Sequence, residues 1–168
     1  DAAVAIAEHI SGTEQQFAMD LTNYLIEKTG IQNTNFTNSS GLFDENHYST
    51  AYDLATIVQY AMKNETFMKF YNAKELRWIG ESWDTTIVSH HRLVNGEIPY
   101  EGITGGKNGY VPQSRYTLAT TAKRDNMNLI AITLGGNKND IYNDTIKLFD
   151  YGFSSFHEVV INSNTTYT

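Results

Sequence analysis

A single lysine stands among glycines near the middle of the chain, in the run Gly105-Gly106-Lys107-Asn108-Gly109. Because glycine has no side chain, the backbone of another molecule can approach a strand closely at such positions. A lone cationic side chain in that setting favours an anionic or polarised ligand. The alternative is a solvated strand lysine between turn glycines, and composition alone does not separate the two.

A phosphate-binding loop is the first functional alternative for this run, and the spacing excludes it. The Walker A motif requires G-x-x-x-x-G-K followed by Ser or Thr. Here Glu101 stands where the first glycine is required, and Asn108 follows the lysine.

Histidines offer two further candidates. His90 and His91, with Glu81 and Asp84 nearby, could suggest a metal site. Adjacent residues of a strand point to opposite faces, so we expect surface residues near a turn and no metal. Spacing leaves a Ser-His-Asp triad open, but the chain has no G-x-S-x-G elbow. We expect His47 to hold a loop by hydrogen bonding.

Composition narrows the class of protein. The 168 residues suffice for one domain with a core, and the apolar content of 40% is ordinary for a globular protein. The net charge of −7 argues against a nucleic-acid partner, so we expect Trp78 and Trp83 in the core and its rim. The absence of cysteine excludes disulfides and cysteine-based metal sites.

Several helices can be predicted from caps and spacing. Asp1 and Thr13 are candidate N-terminal caps, and Gly30 is a typical residue after a helix C-terminus. Asp53 stands at the capping-box position after Thr50. The predicted helices cover 1–10, 13–30, 49–64, 65–72 and 143–151. Gly152 is expected to close the last one, which should bury the apolar residues Ile146, Leu148 and Phe149.

Strands are predicted in the second half of the chain. Pro112 marks a turn after the first main strand, and Asp125-Asn126 a hairpin turn. The predicted strands cover 76–79, 85–88, 103–109, 115–123, 128–134 and 159–161. Helices followed by an antiparallel meander and a closing helix indicate the α+β class, with helices packed on an antiparallel sheet.

Together these stretches resemble a known family. The run GGKNGY with the following strands is similar to the Lys-Thr/Ser-Gly motif of the penicillin-binding serine D-alanyl-D-alanine carboxypeptidases. FTNSSGL at 36–42 and HYSTAYDLATIVQYAMKN at 47–64 resemble the segment after that family's second motif. The resemblance covers nearly the whole chain and implies a β-lactamase/transpeptidase-like fold.

The resemblance also implies roles for residues at the lysine. Lys107 would supply positive potential near the substrate carboxylate and the nucleophile. Gly106 and Gly109 would let a peptide lie along the strand, and the backbone N–H of Tyr110 would be an oxyanion-hole donor. Asn108 replaces the family's Thr or Ser in the substrate-binding triplet, which puts that contact in question.

The family's nucleophile motif is missing from these residues. No Ser-x-x-Lys occurs, and Ser89 is followed three positions later by an arginine, which cannot act as a base. Thr66 precedes Lys69 at this spacing, but we expect a helix surface there. Thr120 and Lys123 have the same spacing on a predicted strand, where positions three apart diverge. Ser-x-Asn is missing too.

We therefore expect part of a catalytic domain, incomplete at its N-terminus and beginning just after Ser-x-Asn. Residues 1–156 would be the C-terminal part of that domain, and 157–168 the start of a following segment or a tail. The complete enzyme would remove terminal D-Ala from peptidoglycan stem peptides outside the cell membrane through an acyl-enzyme that β-lactams also form. No cofactor is implied, and this chain alone should not acylate.

A non-catalytic module that binds peptidoglycan or a partner is the alternative, favoured by Asn108 and the missing motifs. In either case the meander would expose an unpaired edge and an apolar face. We therefore expect the chain to pair with its missing half or to self-associate.

Overall fold

The computed structural model describes residues 2–157 and 159, which form five helices and five strands. The helices are α1 (Ala2–Ser11), α2 (Glu14–Thr29), α3 (Ala51–Ala61), α4 (Glu65–Tyr71) and α5 (Asp140–Ser155). The strands are β1 (Glu75–Ile79), β2 (Asp84–Val88), β3 (Ile103–Val111), β4 (Arg115–Arg124) and β5 (Met127–Gly136). The predicted order of helices, meander and closing helix is confirmed.

Side-chain caps determine where the early helices begin. The hydroxyl of Thr13 accepts a hydrogen bond from the backbone N–H of Gln16, as the capping pattern predicts. Asn64 caps α4 in the same way. Gly30 ends α2 at φ 72°, in the left-handed region that favours glycine. The predicted cap at Asp1 lies outside the described residues.

Helix α3 shows that a capping pattern can be only half right. Thr50 accepts from the N–H of Asp53 as predicted, but the Asp53 carboxylate does not return the bond to the cap. It is 2% exposed and accepts from the N–H of Asn33, at 2.7 Å, and from the hydroxyl of Thr34, at 2.8 Å. Asp53 therefore fastens the loop between α2 and α3 to the start of α3.

Strands β3, β4 and β5 form an antiparallel sheet in that order. Asp125, at φ 50°, lies in the predicted turn between β4 and β5. In β4 the side chains alternate as expected, but residues of both faces are buried, since Leu118, Thr120 and Thr121 are all inaccessible. The central strand is therefore covered on both sides.

Helix α5 covers one face of this sheet. It ends later than the predicted helix 143–151. It runs to Ser155, so Gly152 lies inside the helix. A Cβ at Gly152 would lie 2.6 Å from a methyl group of Leu129, so this glycine permits close helix–sheet packing. Phe149 is buried and Ile146 partly buried, but Leu148 is 47% exposed, contrary to expectation. The other buried positions are Ile141, Tyr142 and Thr145.

Helix α3 lies on the opposite face. Successive strand side chains point to opposite faces, so Ala119 points away from the side where Leu118 packs against Ile141 of α5. Ala119 lines a groove together with Val58 and Ala61 of α3. The sheet is thus sandwiched between α3 and α5.

Strands β1 and β2 form a separate two-stranded hairpin. All five residues of β1 are exposed, including Trp78, and Trp83 precedes β2 with 65% exposure. The expectation that both tryptophans lie in the core or its rim is wrong, because this hairpin is not part of the main sheet. The predicted strand at 159–161 and the predicted tail at 157–168 lie almost entirely outside the described residues.

Candidate active site

Lys107 lies on the open edge of the main sheet. It pairs with Ala119 of β4, and in the described part of the chain β3 has no strand partner on its other side. The side chain is exposed, and its Nζ donates to the backbone oxygen of Asn108 at 2.5 Å. Lys107 is in none of the ion pairs found among the described residues. Its charge is thus available to a ligand at this edge.

A groove of about 840 Å³, here called the lysine groove, runs along this edge. Four of the predicted site residues line one wall, namely Lys107, Asn108, Gly109 and Tyr110. The opposite wall is the loop 38–42, between α2 and α3. The two walls belong to segments some seventy residues apart in sequence, so only the fold brings them together. The arrangement can hold an extended anionic ligand against the strand.

The loop 38–42 is fastened from beneath by Glu14 of α2. The Glu14 carboxylate accepts from the N–H of Ser39 at 3.0 Å and from its hydroxyl at 2.6 Å. These two hydrogen bonds hold the pKa of Glu14 below its usual value. Our sequence reasoning did not single out Ser39 or Ser40 as site residues. The signal was the FTNSSGL run, which carried the family resemblance.

His47 holds the base of this loop, as predicted. Its Nδ1 accepts from the N–H of Thr37 at 3.2 Å, and its ring lies 5.4 Å from that of Phe36. Burial lowers the pKa of His47, so the neutral ring that can accept this bond is favoured.

A second groove, of about 760 Å³, lies on the other side of Lys107. Its walls are largely apolar and come from α3, α4 and the β1–β2 hairpin, with Phe70 and Leu76 among the exposed contributors. Lys107 and Asn108 line both grooves, so the lysine stands on the ridge between them.

On the inner side of β3, Gly106 packs against the ring of His91. A Cβ at this position would lie 2.7 Å from Nε2 of His91 and 2.8 Å from its Cδ2. At Gly109 a Cβ would lie 2.7 Å from the hydroxyl of Thr117. Both glycines therefore have a packing role inside the chain, and their predicted role toward a substrate stays a prediction.

His91 is the largest departure from the sequence-based expectation. We expected a surface residue, but His91 is 0% exposed. Its Nε2 lies 2.9 Å from the hydroxyl of Thr120, and its ring meets that of Tyr142 edge-on. Burial, aided by the charge of Lys107, lowers the pKa of His91 to about 4. His90 is exposed, so the pair does point in different directions.

The remaining predicted site residues lie close to Lys107. Asn108 is half-buried, and the exposed ring of Tyr110 packs against Tyr116 with centroids 4.5 Å apart. The oxyanion and substrate roles of Tyr110 and Asn108 remain predictions.

The threonine–lysine pairs do not form a nucleophile and base. Thr66 and Lys69 are both exposed on α4. Thr120 is 0% exposed beneath His91, whereas Lys123 is exposed on the opposite face of β4. Across residues 2–157 and 159 no cluster of metal-binding side chains is found. In the same part of the chain no helix has the length and apolar character needed to span a bilayer.

The site residues fall within a match to a known protein family. The family model for D-alanyl-D-alanine carboxypeptidase, peptidase family S11, matches residues 1–138, which include the whole lysine groove. The chain belongs to this family. It is 36% identical over 159 residues to the D-alanyl-D-alanine carboxypeptidase DacF of Bacillus subtilis, covering 93% of this chain and 40% of that protein.

Solved structures agree with this assignment. A D-alanyl-D-alanine carboxypeptidase of Mycobacterium tuberculosis matches with a TM-score of 0.79 at 26% identity, over 97% of this chain and 60% of that one. Penicillin binding protein 5 of Haemophilus influenzae matches with a TM-score of 0.77 at 30% identity, over 90% and 43% respectively. The predicted transpeptidase-like α+β fold is confirmed. The chain spans about 40% of the length of the Bacillus subtilis and Haemophilus influenzae carboxypeptidases it matches.

Proposed function

We propose that this S11-family chain forms one wall of a serine D,D-carboxypeptidase active site. This wall, here called the lysine wall, consists of Lys107, Asn108, Gly109 and Tyr110. The nucleophile serine and its base would come from residues other than these 168, since the chain contains no Ser-x-x-Lys. The substrate would be a peptidoglycan stem peptide ending in D-Ala-D-Ala, processed on the outer side of the cell membrane.

The proposed reaction is acyl transfer in two steps. The serine oxygen attacks the carbonyl carbon of the penultimate D-Ala, the peptide bond breaks, and terminal D-Ala leaves with a proton on its nitrogen. Water then hydrolyses the serine ester. Lys107 would attract the substrate carboxylate, and the N–H of Tyr110 would stabilise the oxyanion. A β-lactam would acylate the same serine.

One observation carries this proposal above all. Among the described residues Lys107 forms no ion pair and stands on a strand edge without a partner, with Asn108, Gly109 and Tyr110 beside it along one groove. An open edge can pair with an extended peptide through backbone hydrogen bonds, and the cation can select a carboxylate end. The family membership supports the same chemistry.

A D-alanine release assay tests the proposal. The chain would be joined to a family segment that carries Ser-x-x-Lys and Ser-x-Asn and incubated with a pentapeptide ending in D-Ala-D-Ala. We expect release from the joined protein and loss of release when Lys107 is replaced by alanine. Undiminished release by the Lys107→Ala protein would refute the proposed role of the lysine wall.

A non-catalytic binding module is the second candidate, favoured by the amide of Asn108 where the family has a hydroxyl. It would hold the same peptide without cleaving it. Peptide binding by the joined protein without D-alanine release, and without labelling by a fluorescent penicillin, would favour the module over the enzyme.

A further inference from the structure

We propose that His91, held as a neutral ring, is a positioning residue for Lys107. His91 supports the inner side of β3 at Gly106 and so fixes where the lysine leaves the strand edge. The importance of this support for catalysis rests on the proposed function, but the support itself is a property of this chain.

The contacts around His91 connect three elements. The ring lies directly against Gly106 of β3, closely enough that no Cβ would fit there. Nε2 is hydrogen-bonded to Thr120 of β4, which is also the register partner of Gly106. Tyr142 of α5 closes the pocket from the far side. The ring thus braces the β3–β4 pair at the residue before Lys107.

The surroundings of the ring favour its neutral form. Nδ1 is buried and forms no well-aligned hydrogen bond. The backbone of His91 itself favours the charged ring, but the cost of burying that charge is larger, so the pKa is lowered. The charged and titratable groups around the ring are Lys107 of β3, Tyr142 of α5, and Arg92, which lies 5.3 Å over the Tyr142 ring. No carboxylate bonds to His91 among the described residues. Arg92 is paired with Glu97 at 2.7 Å, so Lys107 is the cation whose charge opposes a positive charge on the ring.

Protonation of His91 should therefore displace the ring. A charged imidazole at this fully buried position lacks hydration and gains it by moving outward. The space against Gly106 would then empty, and the segment carrying Lys107 would lose its support. Burial already lowers the pKa of His91 to about 4, so this release is expected only in acid.

The test is an NMR titration of the 168-residue chain from pH 7 to pH 3.5. It follows the His91 ring, the amides of Gly106 and Lys107, and the Lys107 side-chain signal. We expect all of them to change with one midpoint near pH 4 while amides of β5, which carries no titratable side chain, stay in place. The His91→Gln variant retains a group that can bond Thr120 but cannot titrate, and it should lose this transition. The matched control, exposed His90→Gln, should retain it.

Two outcomes would overturn the inference. In one, the β3 signals change in the same way in His91→Gln as in the unaltered chain. In the other, every amide changes together with His91, which is the behaviour of a histidine that only fills the core. If His91→Gln does not fold, comparison of β3 with β5 in the unaltered chain still decides. The titration uses no substrate, so its result is independent of the D-alanine release assay.

Discussion

The Lys107 side chain is exposed, and the backbone of β3 determines where it leaves the sheet. Its Nζ bonds only to the oxygen of the next residue, Asn108, among the contacts described. An exposed amino group with so little holding it should contribute little to folding stability, because surface charges typically contribute less than about 1 kcal/mol. We expect the Lys107 amino group to contribute to ligand binding instead, and substitution can test this.

We predict that Lys107→Ala lowers the rate of acylation of the joined protein on the order of 10²-fold or more, as loss of an electrostatic donor does in other active sites. Its free energy of unfolding should stay within about 0.5 kcal/mol of the unaltered value. The matched control is Lys123→Ala, another exposed lysine of the same sheet. Stopped-flow acylation and urea unfolding give both quantities. Equal rates in the two variants would contradict the assignment.

Asn108→Thr tests the middle residue of the triplet. If the side chain contacts the substrate carboxylate, a hydroxyl of the family's type should bind it more tightly, by about tenfold, since hydrogen bonds to charged groups contribute about 1.5–3 kcal/mol. The dissociation constant of a D-Ala-D-Ala peptide measures this. Unchanged affinity would contradict the idea that Asn108 has cost the site a contact with the substrate carboxylate.

At the scale of elements, the edge of β3 depends on what lies behind it. Gly106→Ala places a methyl group against the neutral His91 ring, which is packed between Thr120 and Tyr142. We predict a loss of about 1–3 kcal/mol in the free energy of unfolding.

Gly152→Ala is the comparison. The nearest atom there is the movable end of Leu129, and alanine favours a helix over glycine by about 1 kcal/mol, so the net change should lie within about 1 kcal/mol. Urea unfolding measures both. Equal losses in the two variants would contradict the bracing role of His91.

Helix ends and turns could be predicted from the sequence where an interaction between neighbouring residues determines them. The Thr13 cap, the left-handed Gly30 and the Asp125 turn depend on residues next to them, and the sequence predicts each. Gly152 was misread because its role depends on Leu129, which lies on another strand.

At the site, the lysine between glycines marked one wall because its residues are contiguous in the chain. The wall that contains Ser39 and the burial of His91 were not predictable, since both result from segments that meet only after folding. The resemblance to the family pointed to the lysine wall. The residues next to Lys107 in sequence could not indicate that His91 packs behind it.

At the scale of the whole molecule, stability should depend on pH through His91. Its pKa is about 4 in the folded chain against 6.5 as the ordinary value, so the unfolded chain binds more protons between these values. The contribution is complete above pH 6.5 and is lost as the pH falls toward 4, by at most about 3 kcal/mol. Urea unfolding at several pH values, with His91→Gln as reference, isolates it. Parallel curves for the two proteins would contradict this.

The open grooves make a second prediction for the whole molecule. Large apolar side chains such as Phe70, Leu42 and Tyr110 are more than half exposed, and β3 presents an unpaired edge within the described chain. We predict that the isolated chain self-associates, or binds a segment carrying the missing motifs, to cover this surface. Sedimentation across a concentration series measures this. If the chain is monomeric at every concentration and does not bind the added segment, the prediction is contradicted.

The central claim is that these residues supply one wall of a serine carboxypeptidase site and not its nucleophile. Intact-protein mass spectrometry after incubation with a penicillin tests it most directly. We predict no adduct on the isolated 168-residue chain, and one penicilloyl adduct, on the serine of Ser-x-x-Lys, when the chain is joined to a segment with that motif. A covalent adduct on the isolated chain would contradict the claim, and the modified residue would identify the nucleophile.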